Sequence, residues 1–503
     1  MQVLVILIQD LLLEDLLLNF KSYNFIKMKN KYLYILSLAF CLMVFNSCED
    51  KLELFPEDSI SVDNGFNNPV DFENALKGLY EGFRRAGYYG EGSTGHNFLG
   101  DIISDNVIIN SNGRRSAETF YDWRYDEDSS TQAFWLSAYK VIQRANLILE
   151  NIDILEEGEV KNLIRAEALG ARGLVHFDLV RLYSDSPANP STNSLGIPFV
   201  TSTDSGLKPE RNSLTETYSL ILNDLNQSLG LFGDTNVPST GRINRNAVAA
   251  ALTRTYLFMG DYEKVVESAD EVQGMNVTPR SLYLDLWKDG TEEGVIWKVL
   301  ITTQDNIAPG VGWLQESPDG IRSEYNVDYA FYQDFKDTDI RKEVWFETSE
   351  FAGVLYNHIV KYRRRFSGDA NLVDAKCMRY EEVLLSKAEA LAEMGDDGGA
   401  LEILDQIRSQ RYDDFSAGNE TGSNLKNKIQ EERRLELAFE GDRFFTLKRR
   451  GEAIQRSDFG DKADGTGEDA EFKLLPAGDH RFNMAIGEAE IDANEFMMQN
   501  SGY

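Results

Sequence analysis

The 503-residue sequence predicts a mainly α-helical protein that combines a scaffold of paired helices with a loop-rich lobe and few short strands. Three observations predict this fold class: a repeated helix-turn-helix pattern, apolar stripes at spacings of three and four, and a middle region where helical periodicity is interrupted. No Pro/Ser/Gly-rich linker divides the chain, which favours one large unit after the leader.

The helix-turn-helix pattern occurs twice. Met259-Gly260-Asp261 recurs as Met394-Gly395-Asp396, with apolar residues at matching helical positions on both sides. A glycine after an apolar helix and an aspartate before the next predict that one helix ends at Gly260 and the next begins near Asp261. Such helix pairs resemble tetratricopeptide units, which stack through small-residue contacts.

Two apolar stripes predict long core helices. One runs from about Val160 to Tyr183 and contains Gly170 and Gly173. Each glycine costs about 1 kcal/mol inside a helix, so another helix is expected to approach closely there. The second stripe includes Trp135, and both stripes are expected to lie in the core. Tetratricopeptide-like helices are accordingly expected near 135–183, 213–273 and 378–450.

The N-terminus has the organisation of a secretion signal. Basic residues after Met28 precede an apolar run that ends at Phe45, followed by Asn46-Ser47-Cys48. The run is about 14 residues, shorter than the roughly 20 needed for a transmembrane helix. Cys48 is the predicted lipidation site of a lipobox in which Phe45 replaces the usual leucine. Residues 28–47 form the predicted lipoprotein signal peptide, and 1–27 an over-extended gene start. A plain secretory signal with an incidental cysteine is the alternative.

Charge excludes several classes of partner. The chain has 83 acidic and 51 basic residues, a net charge of -32. A strongly negative surface repels phosphate backbones and anionic lipid headgroups, which argues against nucleic-acid binding. The N-terminal acyl group is therefore the expected attachment to the membrane.

Signals for metal and cofactor chemistry are weak. The four histidines, His96, His176, His358 and His480, are isolated from one another, and no metal site is predicted. Acidic stretches at 121–128 and 285–293 offer possible Ca²⁺ ligands but lack the alternation of a calcium loop. No cofactor is predicted apart from the acyl modification. Cys377, without a nearby histidine, is predicted to be a buried inert thiol.

Three glutamates invite an enzymatic interpretation. Glu432, Glu436 and Glu440 follow one another at helical spacing, whereas glycoside hydrolysis requires two carboxyls facing each other across a cleft. Ion pairs such as Glu431 with Arg434 and Glu440 with Arg443 are the favoured interpretation. No catalytic residue is predicted.

Five blocks resemble the SusD/RagB family, the nutrient-binding outer-membrane lipoproteins of Bacteroidetes. The block from Glu432 to Phe444 is the most specific. Leu475-Pro476-Ala477-Gly478 departs from the family, which usually carries an aliphatic-Pro-Ile-Pro element there. The resemblance covers residues 48–503, as a single SusD-like unit. The blocks are 165–183, 241–244, 378–390, 432–444 and 499–503.

The resemblance implies a non-enzymatic protein on the outer membrane. Its expected partner is a SusC-like TonB-dependent barrel, to which it delivers captured oligosaccharides. Glu49 and Asp50, directly behind the lipidated cysteine, resemble the surface-export signal of Bacteroidetes lipoproteins and predict an extracellular orientation. A peptide-binding RagB-like protein, an extracellular glycoside hydrolase and a tetratricopeptide adaptor without a small ligand are the alternatives.

The resemblance also places the ligand surface in loops near 84–130 and 280–375. Aromatic rings stack on the apolar faces of sugars, so rings outside the helical stripes are the expected platforms. Trp135, Trp287 and Trp297 lie in periodic segments and are expected in the core. The predicted ligand-binding residues are Tyr88, Tyr89, His96, Asn97, Trp123, Trp313 and Tyr325.

Overall fold

A computed structural model describes residues 65–90, 95–128, 132–191, 194–234, 239–305, 307–366 and 368–503. Within this part, Phe66–Tyr503 forms one compact unit. The predicted gene-start extension at 1–27, the signal peptide at 28–47 and Cys48 lie outside the described residues.

Helices dominate the described chain, as predicted. They are α1 (Pro69–Phe83), α2 (His96–Ile102), α3 (Glu118–Tyr121), α4 (Gln132–Asn151), α5 (Glu159–Tyr183), α6 (Leu214–Phe232), α7 (Arg245–Met259), α8 (Tyr262–Asp270), α9 (Tyr283–Trp287), α10 (Tyr329–Asp334), α11 (Ile340–Trp345), α12 (Tyr380–Glu393), α13 (Asp397–Ser409), α14 (Gly422–Glu436), α15 (Asp442–Arg450) and α16 (Glu488–Ala493).

The strands are short and lie mostly in the loop-rich middle. They are β1 (Val107–Ile109), β2 (Val295–Val299), β3 (Leu314–Ser317), β4 (Gly320–Ser323), β5 (Tyr325–Val327), β6 (Phe346–Phe351), β7 (Val354–Ile359), β8 (Ala375–Arg379), β9 (Ile454–Gln455) and β10 (Leu474–Leu475). One antiparallel sheet has the order β1-β5-β7-β6, and β2-β8, β3-β4 and β9-β10 form separate pairs. Through β1 and β5, the sheet joins the two predicted loop regions.

Helix α5 is the central element of the helical scaffold. It packs against α4 on one side and α6 on the other. A Cβ at Gly170 would lie 3.0 Å from the Ser228 hydroxyl, and one at Gly173 would lie 3.0 Å from the Leu225 side chain. The two glycines therefore let α6 approach closely, which confirms the expectation from the sequence.

Both helix-turn-helix repeats have the predicted boundaries. Helix α7 ends before Gly260, whose φ is +74°, and the Asp261 side chain caps α8 by accepting from Lys264 N. In the second copy Gly395 has φ +87°, and Asp396 caps α13 through Gly399 N. A left-handed glycine followed by an N-cap aspartate therefore produces each turn. Helix α12 packs against α8, which brings the two copies together.

Most buried apolar residues of the described chain form one hydrophobic core, and two smaller clusters lie around α12–α14 and between α7, α8 and α12. The main core reaches from Phe66 to Met497 and includes Trp135, Trp287 and Trp297, the three tryptophans expected there. Each of these is at most 5% exposed. Over the same described ranges, every helix is too short or too polar to cross a membrane.

A tight backbone crossing yields the first prediction. A Cβ at Gly100 in α2 would lie 2.1 Å from the carbonyl oxygen of Gly441. A backbone atom cannot move away by changing rotamer, as a side chain can, so the clash would displace the chain. We expect Gly100→Ala to lower the free energy of unfolding by about 1–3 kcal/mol in urea denaturation.

Gly78→Ala is the matched control for this substitution. Gly78 lies inside α1, and a Cβ there would meet nothing within 4 Å. We expect this variant to be stabilised by about 0.5–1 kcal/mol, because alanine is the better helix former. Equal effects of both substitutions would contradict the proposed close crossing.

Candidate functional site

Glu436 lies at the centre of a buried ionic cluster. This residue, the last of α14, is fully buried, and its carboxylate accepts from the guanidinium groups of Arg341, Arg379 and Arg411 at 2.8–3.0 Å. Burial alone would raise the pKa of Glu436, but Arg411 and Arg379 hold it well below its usual range. The carboxylate is therefore permanently charged and fully engaged.

The neighbouring glutamates are also engaged. Glu440 accepts from Arg379 Nη2 at 2.7 Å and from Lys361 Nζ at 2.8 Å, while Glu432 pairs with Arg341 at 2.7 Å. The row therefore serves as an ion-paired support, as the sequence indicated. The cluster connects α11, β8, α14 and the chain after α13.

The predicted i,i+3 partners are wrong. Glu431 pairs with Lys428 at 2.5 Å, whereas Arg434 and Arg443 both bind Asp105, at 3.3 and 2.8 Å. Helix α14 ends at Glu436, and the chain then reverses through a left-handed turn. The turn therefore separates Glu440 from Arg443, whereas Glu431 and Arg434 share α14 and Arg434 instead pairs with Asp105, which is distant in sequence.

Three predicted ligand residues after α1 lie in the core. Tyr88, Tyr89 and His96 are at most 3% exposed. Both tyrosine hydroxyls donate to Asp178 Oδ2, at 2.8 and 3.4 Å, and His96 Nε2 lies 2.6 Å from Arg181. The expectation that these side chains form an exposed platform is therefore corrected. Tyr88, Tyr89 and His96 face inward, where they supply hydrogen-bond partners to Asp178 and Arg181 of α5.

The other three predicted rings are buried as well. Trp123, Trp313 and Tyr325 are at most 2% exposed. Trp123 Nε1 donates to Ile103 O at 2.8 Å beneath the guanidinium of Arg456, and Trp313 packs edge-on against Phe98. These rings fill the core and present no face for a sugar in this structure. Polar neighbours in the sequence had indicated exposure, but the partners come from distant segments.

Asn97 alone among the seven predicted ligand residues is half-exposed. It lines a cavity of about 40 Å³ together with Tyr89 and His96. A volume of this size holds a few water molecules and excludes a sugar ring. A ligand role for Asn97 stays a prediction.

Cys377 and the two acidic stretches have structural roles in the described chain. Cys377 is half-buried in β8, and burial raises the pKa of its thiol, which keeps it protonated. Asp122 and Asp289, from the two acidic stretches, pair with Arg124 at 2.7 Å and Arg365 at 3.2 Å. Across the described ranges, no group of three or more metal-ligating side chains is arranged to hold an ion.

One aromatic ring in the loop-rich lobe does face solvent. Phe366 is 61% exposed, while all six tryptophans are buried. Its backbone N–H donates to Lys288 O at 3.2 Å, and its ring lies against Gly290, where a Cβ would come within 2.8 Å of Cε2. Glycine at 290 therefore makes room for the ring. The sequence reasoning missed Phe366, although an aromatic residue between three arginines and Ser367-Gly368 was a usable signal.

A pocket of about 230 Å³ lies in the same lobe, and the Phe366 ring is not part of its wall. Trp287 and Phe346 contribute to the wall, and Lys288, Arg363 and Arg364 contribute polar groups. Arg363 pairs with Glu316 at 2.6 Å, while within the described chain no carboxylate lies within 4 Å of the Lys288 ammonium. Burial, followed by repulsion from Arg363 and Arg364, lowers the pKa of Lys288. The exposed ring and the pocket are linked through Lys288, whose backbone carbonyl accepts from the Phe366 N–H.

Comparison with known families covers almost the whole chain. The profile of a family described as "Starch-binding associating with outer membrane" matches residues 52–257, and that of the SusD family matches residues 253–503. A curated relative, SusD-like protein P2 of Formosa agariphila, is 25% identical over 468 residues, which are 83% of this chain and 90% of that protein.

Solved structures share the fold. A SusD superfamily protein of Bacteroides thetaiotaomicron is 26% identical with a TM-score of 0.76, covering 86% of this chain and 99% of that one. A structure described as a SusD-like carbohydrate binding protein, from Bacteroides vulgatus, has a TM-score of 0.74 at 23% identity, covering 86% and 98%. The chain is thus a SusD-like protein and belongs to the SusD/RagB family.

The ionic cluster yields the second prediction. In Glu436→Gln the amide keeps the size of the side chain but leaves three buried guanidinium groups without their shared negative charge. We expect the free energy of unfolding to fall by about 3–5 kcal/mol. Urea denaturation followed by circular dichroism measures the change.

Glu431→Gln is the matched control. Glu431 is an exposed residue of the same helix and pairs only with Lys428 in the described chain. An exposed pair contributes about 0–1 kcal/mol, so this variant is expected to unfold almost like the wild type. A similarly small loss in Glu436→Gln would show that the cluster does not support the fold.

Proposed function

We propose that this protein is a lipid-anchored, outward-facing outer-membrane protein that captures oligosaccharides and delivers them to a SusC-like TonB-dependent barrel. Membership of the SusD/RagB family supports this role, because the matched family is described as starch-binding and associated with the outer membrane. The observation that carries the choice of site is the exposed Phe366 ring, whose backbone is hydrogen-bonded to Lys288 of the Trp287 pocket.

The loop-rich lobe offers the combination of groups that a sugar needs. Phe366 would stack on the C–H face of a pyranose, which removes apolar surface from water. Lys288, whose carbonyl accepts from the Phe366 N–H, and Arg364 line the pocket of the same lobe and would donate hydrogen bonds to hydroxyl groups. These residues belong to the segment 280–375, which the sequence predicted as a ligand region.

Capture without cleavage is the expected chemistry. Glu432, Glu436 and Glu440, the carboxylates that invited an enzymatic interpretation, are buried or nearly so and held by arginine and lysine. A hydrolase needs one carboxyl that can donate a proton and a second that faces the same substrate. The low pKa of Glu436 removes it from proton donation at neutral pH.

Delivery requires that the protein stay beside the barrel. Acylation at Cys48 would tether it, and Glu49 and Asp50 would direct it to the outer surface. The strongly acidic chain has little electrostatic attraction to anionic headgroups, so the anchor would be the main membrane attachment.

Phe366→Ala tests the platform. We expect affinity for the bound glycan to fall by about 1–2 kcal/mol, roughly 5- to 30-fold, because the stacking surface is lost. Affinity electrophoresis in gels containing soluble starch and a panel of plant and algal polysaccharides measures the change. Phe415→Ala, which removes a 36% exposed ring outside the lobe, is the matched control and should migrate as the wild type.

Two outcomes would count against this assignment. Equal retardation of wild type and Phe366→Ala would remove the ring from the site. Binding to peptides, with no retardation by any polysaccharide, would replace oligosaccharide capture by peptide capture.

Cys48→Ser tests the anchor. Serine cannot form the thioether that carries the lipid, so we expect radiolabelled palmitate incorporation to vanish and the protein to leave the membrane fraction of cells. Cys377→Ser is the control, since that thiol lies within the folded unit. Retention of the label in Cys48→Ser would place the lipid elsewhere.

A further inference from the structure

A cleft of about 730 Å³ opens at the C-terminal end of α5, away from the Phe366 platform in sequence. Its volume lies within the range of about 300–1,000 Å³ that is typical of small-molecule sites. The walls come from the chain after α5, the end of α15 and the last residues of the protein. Hydroxyl and amide side chains are abundant there, including Ser184, Asn189, Asn483, Gln499 and Asn500.

Lys448 gives the cleft a buried cation with unused donors. It is 7% exposed, and its ammonium group donates to Arg181 O at 2.8 Å. Within the described ranges no carboxylate lies within 4 Å of it. An ammonium group has three N–H donors, so two remain available to a ligand. Burial lowers the pKa of Lys448 to about 7, which shows how poorly its charge is compensated.

Arg211 adds a second buried positive charge to the wall. It donates to four backbone carbonyls and to the Asn500 side chain, which leaves its hydrogen bonds satisfied. Its charge has no carboxylate within 4 Å in the described chain. Burial lowers its pKa to about 10. The guanidinium of Arg211 therefore contributes positive charge to the cleft but no free N–H donor for a ligand.

Asp185, which interacts electrostatically with both cations, lies in the cleft wall and is hydrogen-bonded by other residues of that wall. Burial alone would raise the pKa of Asp185, but hydrogen bonds from Ser191, Ser194 and Asn483 lower it to about 2. Asp479 and Glu452, also in the wall, pair with Arg481 and Arg450 at 2.8 Å.

Two wall atoms lack partners. Ser184 is 1% exposed, and its Oγ has no hydrogen-bond partner among the described residues. The same holds for Oδ1 of Asn483, whose Nδ2 donates to Asp185 at 2.6 Å. Buried polar atoms are normally satisfied, so a ligand hydroxyl that reached these two atoms would supply the partner that each lacks.

We propose that this cleft is a second saccharide site that takes a uronic acid unit, with the sugar carboxylate on Lys448 and its hydroxyl groups on Ser184 and Asn483. A ligand carboxylate would give Lys448 an ion pair at hydrogen-bond distance, which it lacks within the described chain, and the hydroxyl and amide side chains of the wall would bind sugar hydroxyl groups. This inference rests on the glycan capture proposed above and adds a preference for acidic glycans.

Calorimetric titration of the full chain with trigalacturonic acid and with its methyl ester tests the preference. We expect the acid to bind at least 10-fold more tightly than the ester. In Lys448→Met, which keeps the length of the stem, the acid should bind about 10- to 100-fold more weakly while the ester is unaffected.

Two further variants separate binding from folding. Ser501→Asp places a negative charge at the exposed rim of the cleft and should weaken only the acid. Lys264→Met removes an exposed ammonium of α8 and should change nothing. Melting temperatures of all variants verify that they fold.

The outcomes are distinct from those of the Phe366 experiment. Equal affinity for acid and ester, or an unchanged acid affinity in both Lys448→Met and Ser501→Asp, would overturn the proposal even if the Phe366 platform binds glycans. Binding of trialanine in the cleft with no uronide binding would overturn it in favour of a peptide carboxylate.

Discussion

The pairing of one buried carboxylate with three arginines is the interaction on which the architecture depends. Glu436 belongs to the last helix of the repeat scaffold, while Arg341 and Arg379 come from α11 and β8 of the loop-rich part. Desolvating these charges is expensive, and only their mutual arrangement offsets that cost. Any movement of the lobe that separated them would leave unpaired charge in the core, so the scaffold and the base of the lobe behave as one body.

The local features of the fold could be predicted from the sequence, because their determinants lie within a few residues. The turn at Gly260 and Asp261 needs only a left-handed glycine and a capping carboxylate. Close approach of α6 to α5 followed from the glycines in the stripe. In both cases the residue type alone indicates the local structure: glycine allows a left-handed turn or a close helix contact, and aspartate caps a helix.

The site could be predicted only as a region. Trp123 and Trp313 seemed exposed because their sequence neighbours are polar or glycine-rich, yet each is buried by contacts with other segments. The arginine pairs failed for the same reason, since Arg443 meets Asp105 across 338 positions of the chain. Burial depends on long-range packing, whereas periodicity reports only local geometry. Phe366, conversely, lies between three arginines and Ser367-Gly368, a local pattern that indicated exposure and that the sequence reasoning did not use.

Arg365 and Phe366 are held in place by the protein itself. Arg365 N–H donates to Leu372 O at 3.2 Å, and its guanidinium donates to Ile301 O at 2.8 Å, while the Phe366 N–H donates to Lys288 O. A ligand that stacked on the ring as proposed would not have to order these two residues, so little of their conformational entropy would be lost on binding. Association that needs no prior conformational change is also the faster kind, which suits a protein that must capture and release its ligand repeatedly.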